Sequence, residues 1–112
     1  MSKYHQRLVS IKESLEDIEF ILKDIDFKIT KAIQNKILKP AIRMHIIKIA
    51  EQFSKIKDNS LLSIFDSDDV KGAIDTRNFI AHDYEGINFP IIEFIIRERL
   101  PILNNDIKQL LD

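Results

Sequence analysis

Within the eight residues "RNFIAHDY" the chain gathers an arginine (Arg77), an asparagine (Asn78), a histidine (His82) and a tyrosine (Tyr84). Histidine exchanges a proton near neutral pH, which suits general acid or base catalysis. Arginine stays charged and offers two parallel hydrogen bonds to phosphate oxygens, so it stabilises negative charge as it develops. Together they suffice for attack of a ribose 2′-hydroxyl on its neighbouring phosphate, with no metal required. Carboxylates and histidines gather nowhere at metal-ligand spacing, so neither a metal nor another cofactor is expected. His5 and His45 have no motif around them and read as surface or helix-face histidines.

The spacing sets conditions on that chemistry. Arg77 is in helical register with Val70, Ile74 and Ala81, which turns its stem toward the packed side. Asn78 and His82 are four apart and share a face. Arg77 and His82 are five apart, so on a straight helix they diverge by about 140°. They converge on one ligand if the helix ends near His82 or if a second chain supplies one of them. A third route is two-fold symmetry, which would line one groove with two arginines and two histidines. The ordinary alternative is a polar turn at a helix end.

The elements that must position these residues are helical. Leu8, Ile11, Leu15, Ile18, Leu22 and Ile25 recur at spacings of three and four, which predicts a first helix over about 3–24. Asp24 and Asp26 interrupt it, and "DIDFKITKAIQNKIL" reads as a short helix or helical turn. Pro40 suits the first turn of a second long helix over about 40–57, with the stripe Ile42, Ile46, Ile49, Phe53 and Ile56. "KDNS" ends it, and "SLLSIF" is a short helix or turn. "DSDD" supplies capping residues before a helix over about 69–83 that carries the candidate site. Gly86 follows, where a helix terminus favours glycine. "FPIIEFIIRERL" is a last, very apolar helix that Pro101 kinks or restarts. Four or five amphipathic helices in one domain spanning 1–112 make an all-α, up-and-down bundle. Ile91, Ile92, Phe94, Ile95 and Ile96 put apolar side chains on more than one side of the last helix, which points to burial against a second copy.

Composition narrows the function classes. The 112 residues are 45% hydrophobic and 31% charged, an ordinary globular composition. With 2 Gly and 3 Pro, a few long elements are favoured. Cysteine is absent, which rules out disulfides and thiolate metal sites. The N-terminal residues lack the apolar core of a signal peptide, and no apolar run approaches membrane-spanning length, so the expected location is the cytoplasm, with no membrane partner. The net charge of −1 argues against strong non-specific nucleic-acid binding. That total hides an asymmetry: residues 26–57 carry a balance of +6 and residues 58–112 a balance of −6. The basic segment is either a solvated helix face or a phosphate-facing surface.

"RNFIAHDY" resembles the R-N-x-x-x-H-x-Y signature of HEPN-domain proteins, specifically the HepT-type toxins. "AIRMHIIKIAEQFSKI" is similar to the family's I-R-x-x-x-I-x-G-E-A segment, with Ala50 where glycine is usual and Gln52 where alanine is usual. "HDYEGINFPIIEFIIRERLPIL" resembles the family's ending, without its tryptophan. These departures look like packing changes and leave the motif intact.

The resemblance implies a HEPN-like homodimeric bundle with the motif at the interface. It implies a toxin that cleaves cellular RNA as a metal-independent endoribonuclease, with Arg77 and His82 as the catalytic pair and Asn78 as a polar supporter. It further implies a partner antitoxin, a minimal nucleotidyltransferase that transfers AMP to the motif tyrosine, here Tyr84. AMP groups beside the groove would block RNA by bulk and negative charge. Arg43 and Glu51 match family positions, where a structural polar pair under the motif helix is the plain reading. Two further readings stand beside the toxin: a non-catalytic helical partner that docks beside a nucleotidyltransferase, and a helical dimer without activity. A complete set of Arg77, His82 and Tyr84 favours the toxin, since a docking subunit does not need all three.

Overall fold

The computed structural model describes residues 3–72 and 89–111. Those residues are helical and carry no strand, in keeping with an all-α, HEPN-like bundle. In chain order the helices are α1 (His5–Lys23), α2 (Ile29–Gln34), α3 (Leu38–Lys55) and α4 (Asn59–Leu62). A helical stretch at 67–72, α5, follows. Then come α6 (Phe89–Phe94), a π-helical turn (Ile95–Arg99) and α7 (Leu100–Leu111). Among the described residues no helix is long and apolar enough to cross a membrane.

The stripe of α1 forms because its apolar residues fall on one face, and Leu8, Ile11, Leu15, Ile18 and Leu22 are all buried. They meet Ile42, Ile46, Ile49 and Phe53 of α3, while α7 closes the bundle over α1 with Leu103 and Ile107. Ile11, Ile42, Ile92 and Ile107 are 0% exposed, so the centre is largely isoleucine. A side-chain hydrogen bond also joins α1 to α3: Arg7 Nη1 donates to Gln52 Oε1 at 3.2 Å. Gln52 thus has a structural use at a position where the resembling family carries alanine. Ala50 is 2% exposed, so its extra methyl is packed.

Helix α1 stops through its backbone. The amide of Phe27 donates to the Leu22 carbonyl at 2.8 Å, and that of Asp26 to Lys23 at 3.1 Å. This is the paired terminus that usually places glycine in the left-handed region. Here Asp26 (φ 55°) and Phe27 (φ 58°) occupy that region. Helix α3 begins when Asn35 Oδ1 accepts from the amides of Ile37 (2.8 Å) and Leu38 (3.0 Å). Pro40 then sits in the first turn, where its missing N–H needs no acceptor.

One expectation shifts and another gains a detail. Helix α3 ends at Lys55, and Ile56 is extended with ψ 114° while only 2% exposed. Its burial belongs to the chain leaving the helix. At Pro101 the expected restart is present as α7, which begins at Leu100. The turn before it is wide, with the Leu100 amide donating to Ile95 five residues back. A wide turn accommodates the carbonyl that an α-helix would drive into the proline ring.

Candidate active site

Arg77, Asn78, His82 and Tyr84, with Gly86 and the expected helix over 69–83 beyond residue 72, lie outside the described residues. The structure gives the frame on either side of them. On the entry side is α5, which reaches residue 72, five residues before Arg77. On the exit side is α6, which starts five residues after Tyr84.

The entry is built from acidic residues doing two jobs. Asp66 starts α5: its Oδ1 accepts from the Asp68 amide at 2.9 Å, and its carbonyl accepts from the amides of Asp69 (3.0 Å) and Val70 (3.3 Å). Arg99, in the π-helical turn, then reaches across. Its Nε donates to Asp69 Oδ1 at 2.8 Å and its Nη2 to Asp66 Oδ1 at 2.9 Å. The amide of Asp66 also approaches Asp106 Oδ2 of α7 at 3.4 Å. One guanidinium fork thereby spans two carboxylates, a geometry that a lysine ammonium cannot reproduce. Because the π turn and α6 belong to the same helical run, the clamp ties the element before the motif to the element after it.

The clamp is electrostatically tense. The Asp69 side chain is 4% exposed, and its Oδ2 is buried with no hydrogen-bond partner. Burial pushes its carboxyl above the ordinary range, while the hydrogen bond and charge of Arg99 pull the other way. Arg99 is held above its ordinary value chiefly by the hydrogen bond to Asp69. Sequence reading assigned "DSDD" to capping and missed Arg99. The available signal was an arginine inside an apolar helix, which needs a carboxylate somewhere.

The other flagged residues fall as follows. Arg43 is half-buried and engaged in an interaction, whereas Glu51 is exposed. They stand eight positions apart on α3, about 12 Å along the axis, and the motif helix they were expected to lie under falls outside the described residues beyond residue 72. His5 is half-buried at the start of α1. His45 is more enclosed than a surface histidine: its side chain is 18% exposed, Nε2 lies 3.9 Å from Asp17 Oδ2, and Nδ1 is buried without a partner. Among the described residues no cluster of histidine and carboxylate side chains could hold a metal ion.

Comparison with known proteins adds to this frame. A family model described as "Ribonuclease HepT-like" matches residues 11–110, a span that contains the whole of "RNFIAHDY". A protein of Methanocaldococcus jannaschii named "Putative RNase MJ1380" is 27% identical over 101 residues, covering 90% of each chain. No solved structure matches the chain with significance.

Proposed function

This chain belongs to the HepT-like ribonuclease family, and from that premise we propose that it is the toxin of a toxin–antitoxin pair, a metal-independent endoribonuclease with Arg77 and His82 as its catalytic residues. The observation that carries the proposal is the complete R-N-x-x-x-H-x-Y set inside the matched span. His82 takes the proton from a ribose 2′-hydroxyl as its oxygen attacks the adjacent phosphorus. The bond from phosphorus to the 5′-oxygen breaks, and that oxygen is protonated by an imidazolium, the same one or the one related by symmetry. The products are a 2′,3′-cyclic phosphate and a 5′-hydroxyl. Arg77 binds the non-bridging oxygens, where charge accumulates, and Asn78 supports that contact.

Homodimerisation is part of the proposal, because five-residue spacing separates Arg77 and His82 around a straight helix. Phe94, 56% exposed on α6, fits an apolar surface awaiting a partner. The antitoxin would be a minimal nucleotidyltransferase that joins AMP to the Tyr84 hydroxyl with release of pyrophosphate from ATP.

The test is RNA cleavage by the unmodified protein in EDTA, beside Arg77→Ala and His82→Ala. Cleavage that survives EDTA and disappears in both variants is the expected result. A folded dimer of native mass that cleaves nothing would instead make the chain a docking partner for a nucleotidyltransferase. Tyr84→Phe should stay active and gain no mass from the antitoxin and ATP; added AMP on that variant would place the acceptor elsewhere.

A further inference from the structure

We propose that α2 and the turns at its two ends form a track for single-stranded RNA, with phosphates on Lys28, Lys31 and Lys36 and a base stacked on Phe27. This rests on the ribonuclease reading of the site and names where its substrate lies outside the motif.

The first observation is uncompensated charge. Lys28, Lys31 and Lys36 are exposed and make no hydrogen bond or ion pair with the described residues. Lys28 is the residue just before α2, Lys31 lies within it and Lys36 follows its end. Arg97 pairs with Glu93, Arg99 with Asp66 and Asp69, and Lys39 and Arg43 are engaged, whereas Lys48, Lys55 and Lys57 are exposed like the α2 lysines, so what sets the α2 group apart is its place beside Phe27 and α6. In a chain whose net charge is −1, a local excess of this kind selects a polyanion without making the whole protein sticky.

The second observation is position. Helix α2 packs on α6, sharing the core through Ile33 and Ile92, and Thr30 Oγ1 donates to Glu93 Oε1 at 3.3 Å. Helix α6 follows Tyr84 by five residues, a chain length that spans at most about 18 Å. The lysines therefore sit on the element that borders the exit from the motif.

The third observation is Phe27. It directly precedes Lys28, is 52% exposed, and has φ 58°. A bulky residue in the left-handed region costs about 1–2 kcal/mol, and the usual glycine of such a helix end would stand one residue earlier, at Asp26. Strain of this kind persists where a side chain is needed in that place. An exposed aromatic ring beside a row of lysines is the combination that holds single strands, the ring stacking a base and the cations following the backbone. A duplex keeps its bases stacked on each other and cannot offer one to the ring.

The experiment measures binding of a fluorescent single-stranded RNA about 12 nucleotides long, within the span of single-strand sites. The protein carries His82→Ala so that the probe survives, and anisotropy is read across a salt series. Lys28→Ala/Lys31→Ala/Lys36→Ala should weaken binding at least roughly tenfold at low salt and reduce the log–log salt slope by about 2. Phe27→Ala should weaken binding roughly tenfold with the slope unchanged. The control Lys48→Ala/Lys55→Ala/Lys57→Ala removes equal charge from exposed positions of α3 and the turn after it, and should bind as the parent does. Melting curves matching the parent confirm that the variants fold.

Equal losses in the control and the α2 triple variant would overturn the track, since net charge alone would then explain them. Parent-like binding by the α2 triple variant would overturn it too, as would binding of anionic vesicles in place of RNA. Cleavage by the wild-type chain, run in parallel, reports separately on the ribonuclease reading. A wild type that cleaves while the α2 variants bind unchanged sinks only the track.

Discussion

The α1–α3 interface and the Asp66–Asp69–Arg99 clamp hold the same bundle by opposite means. The first is leucine and isoleucine against isoleucine and phenylalanine, with Ile11 and Ile42 fully buried and the polar contacts Arg7 to Gln52 and Asp17 to His45 beside them. Burial is non-directional, so this interface tolerates small shifts and is limited mainly by volume. The clamp fixes α5 against the π-helical turn through two short, angular, charge-assisted bonds. The apolar interface supplies the free energy of folding, and the polar one supplies a defined geometry at the entrance to the motif. On the proposed function, accurate placement of Arg77 and His82 needs the second as much as the first.

Substitutions in the two regions should therefore separate stability from catalysis. Ile42→Ala removes a side chain with 0% exposure and should cost about 3 kcal/mol, read as a fall of roughly 10 °C or more in melting temperature. Turnover per folded molecule should not change. A large loss of kcat in this variant, at a temperature where it is folded, would break the division of labour.

Arg99→Met is the matching change in the clamp. It strands a buried Asp69 carboxylate and should cost about 2–3 kcal/mol. Here kcat for RNA should fall well beyond what unfolding explains, because α5 loses its tie to the far side of the motif. Stability lost with kcat intact would reduce the clamp to an ordinary structural tie. Asp69→Asn removes the charge that burial opposes, so it should cost less than about 1 kcal/mol at neutral pH. Asp69 also gives a pH signature. Its carboxyl is raised in the folded state, so between the unfolded and folded values the native protein binds more protons. Stability from this group is therefore lowest at neutral pH and returns as pH falls through the raised value. The wild type should gain on Asp69→Asn as pH drops from neutral into the carboxylate range, measured by denaturant midpoints of the two proteins. A gap that widens against the wild type instead would mean that Arg99 outweighs burial.

The same contrast explains what was legible in the sequence. The apolar interface was readable because a helix stripe is local: Leu8 to Leu22 and Ile42 to Phe53 announce their faces by spacing alone. Periodicity failed where burial and helix part company. Ile56 fits the stripe of α3 and is buried, yet it is extended. The clamp was illegible because Asp69 and Arg99 lie 30 residues apart and only the packed helices bring them together. The π-helical turn was hidden for a similar reason, since Pro101 announces a disturbance without saying how it is absorbed. The motif was the reverse case: residue types and family resemblance made Arg77, Asn78, His82 and Tyr84 visible, although they stand outside the described residues.

The smallest expected effect sharpens the comparison at a third place, the end of α1. Asp26 is exposed with φ 55°, and Phe27 follows at φ 58°. Asp26→Gly keeps both backbone hydrogen bonds of the helix end and removes the steric cost of a β-carbon in the left-handed region. Glycine is more flexible when unfolded, which offsets part of the gain, so the net stabilisation should be about 0.5 kcal/mol. That rise, read from urea midpoints at constant m-value, would show that the turn stores strain. Single-stranded RNA binding should then hold or tighten slightly, because the ring of Phe27 and the three lysines remain in place and a carboxylate beside Lys28 is gone. A stabilised variant that binds RNA more weakly would show that the strained pair works as a unit, with Asp26 setting the angle at which Phe27 is presented.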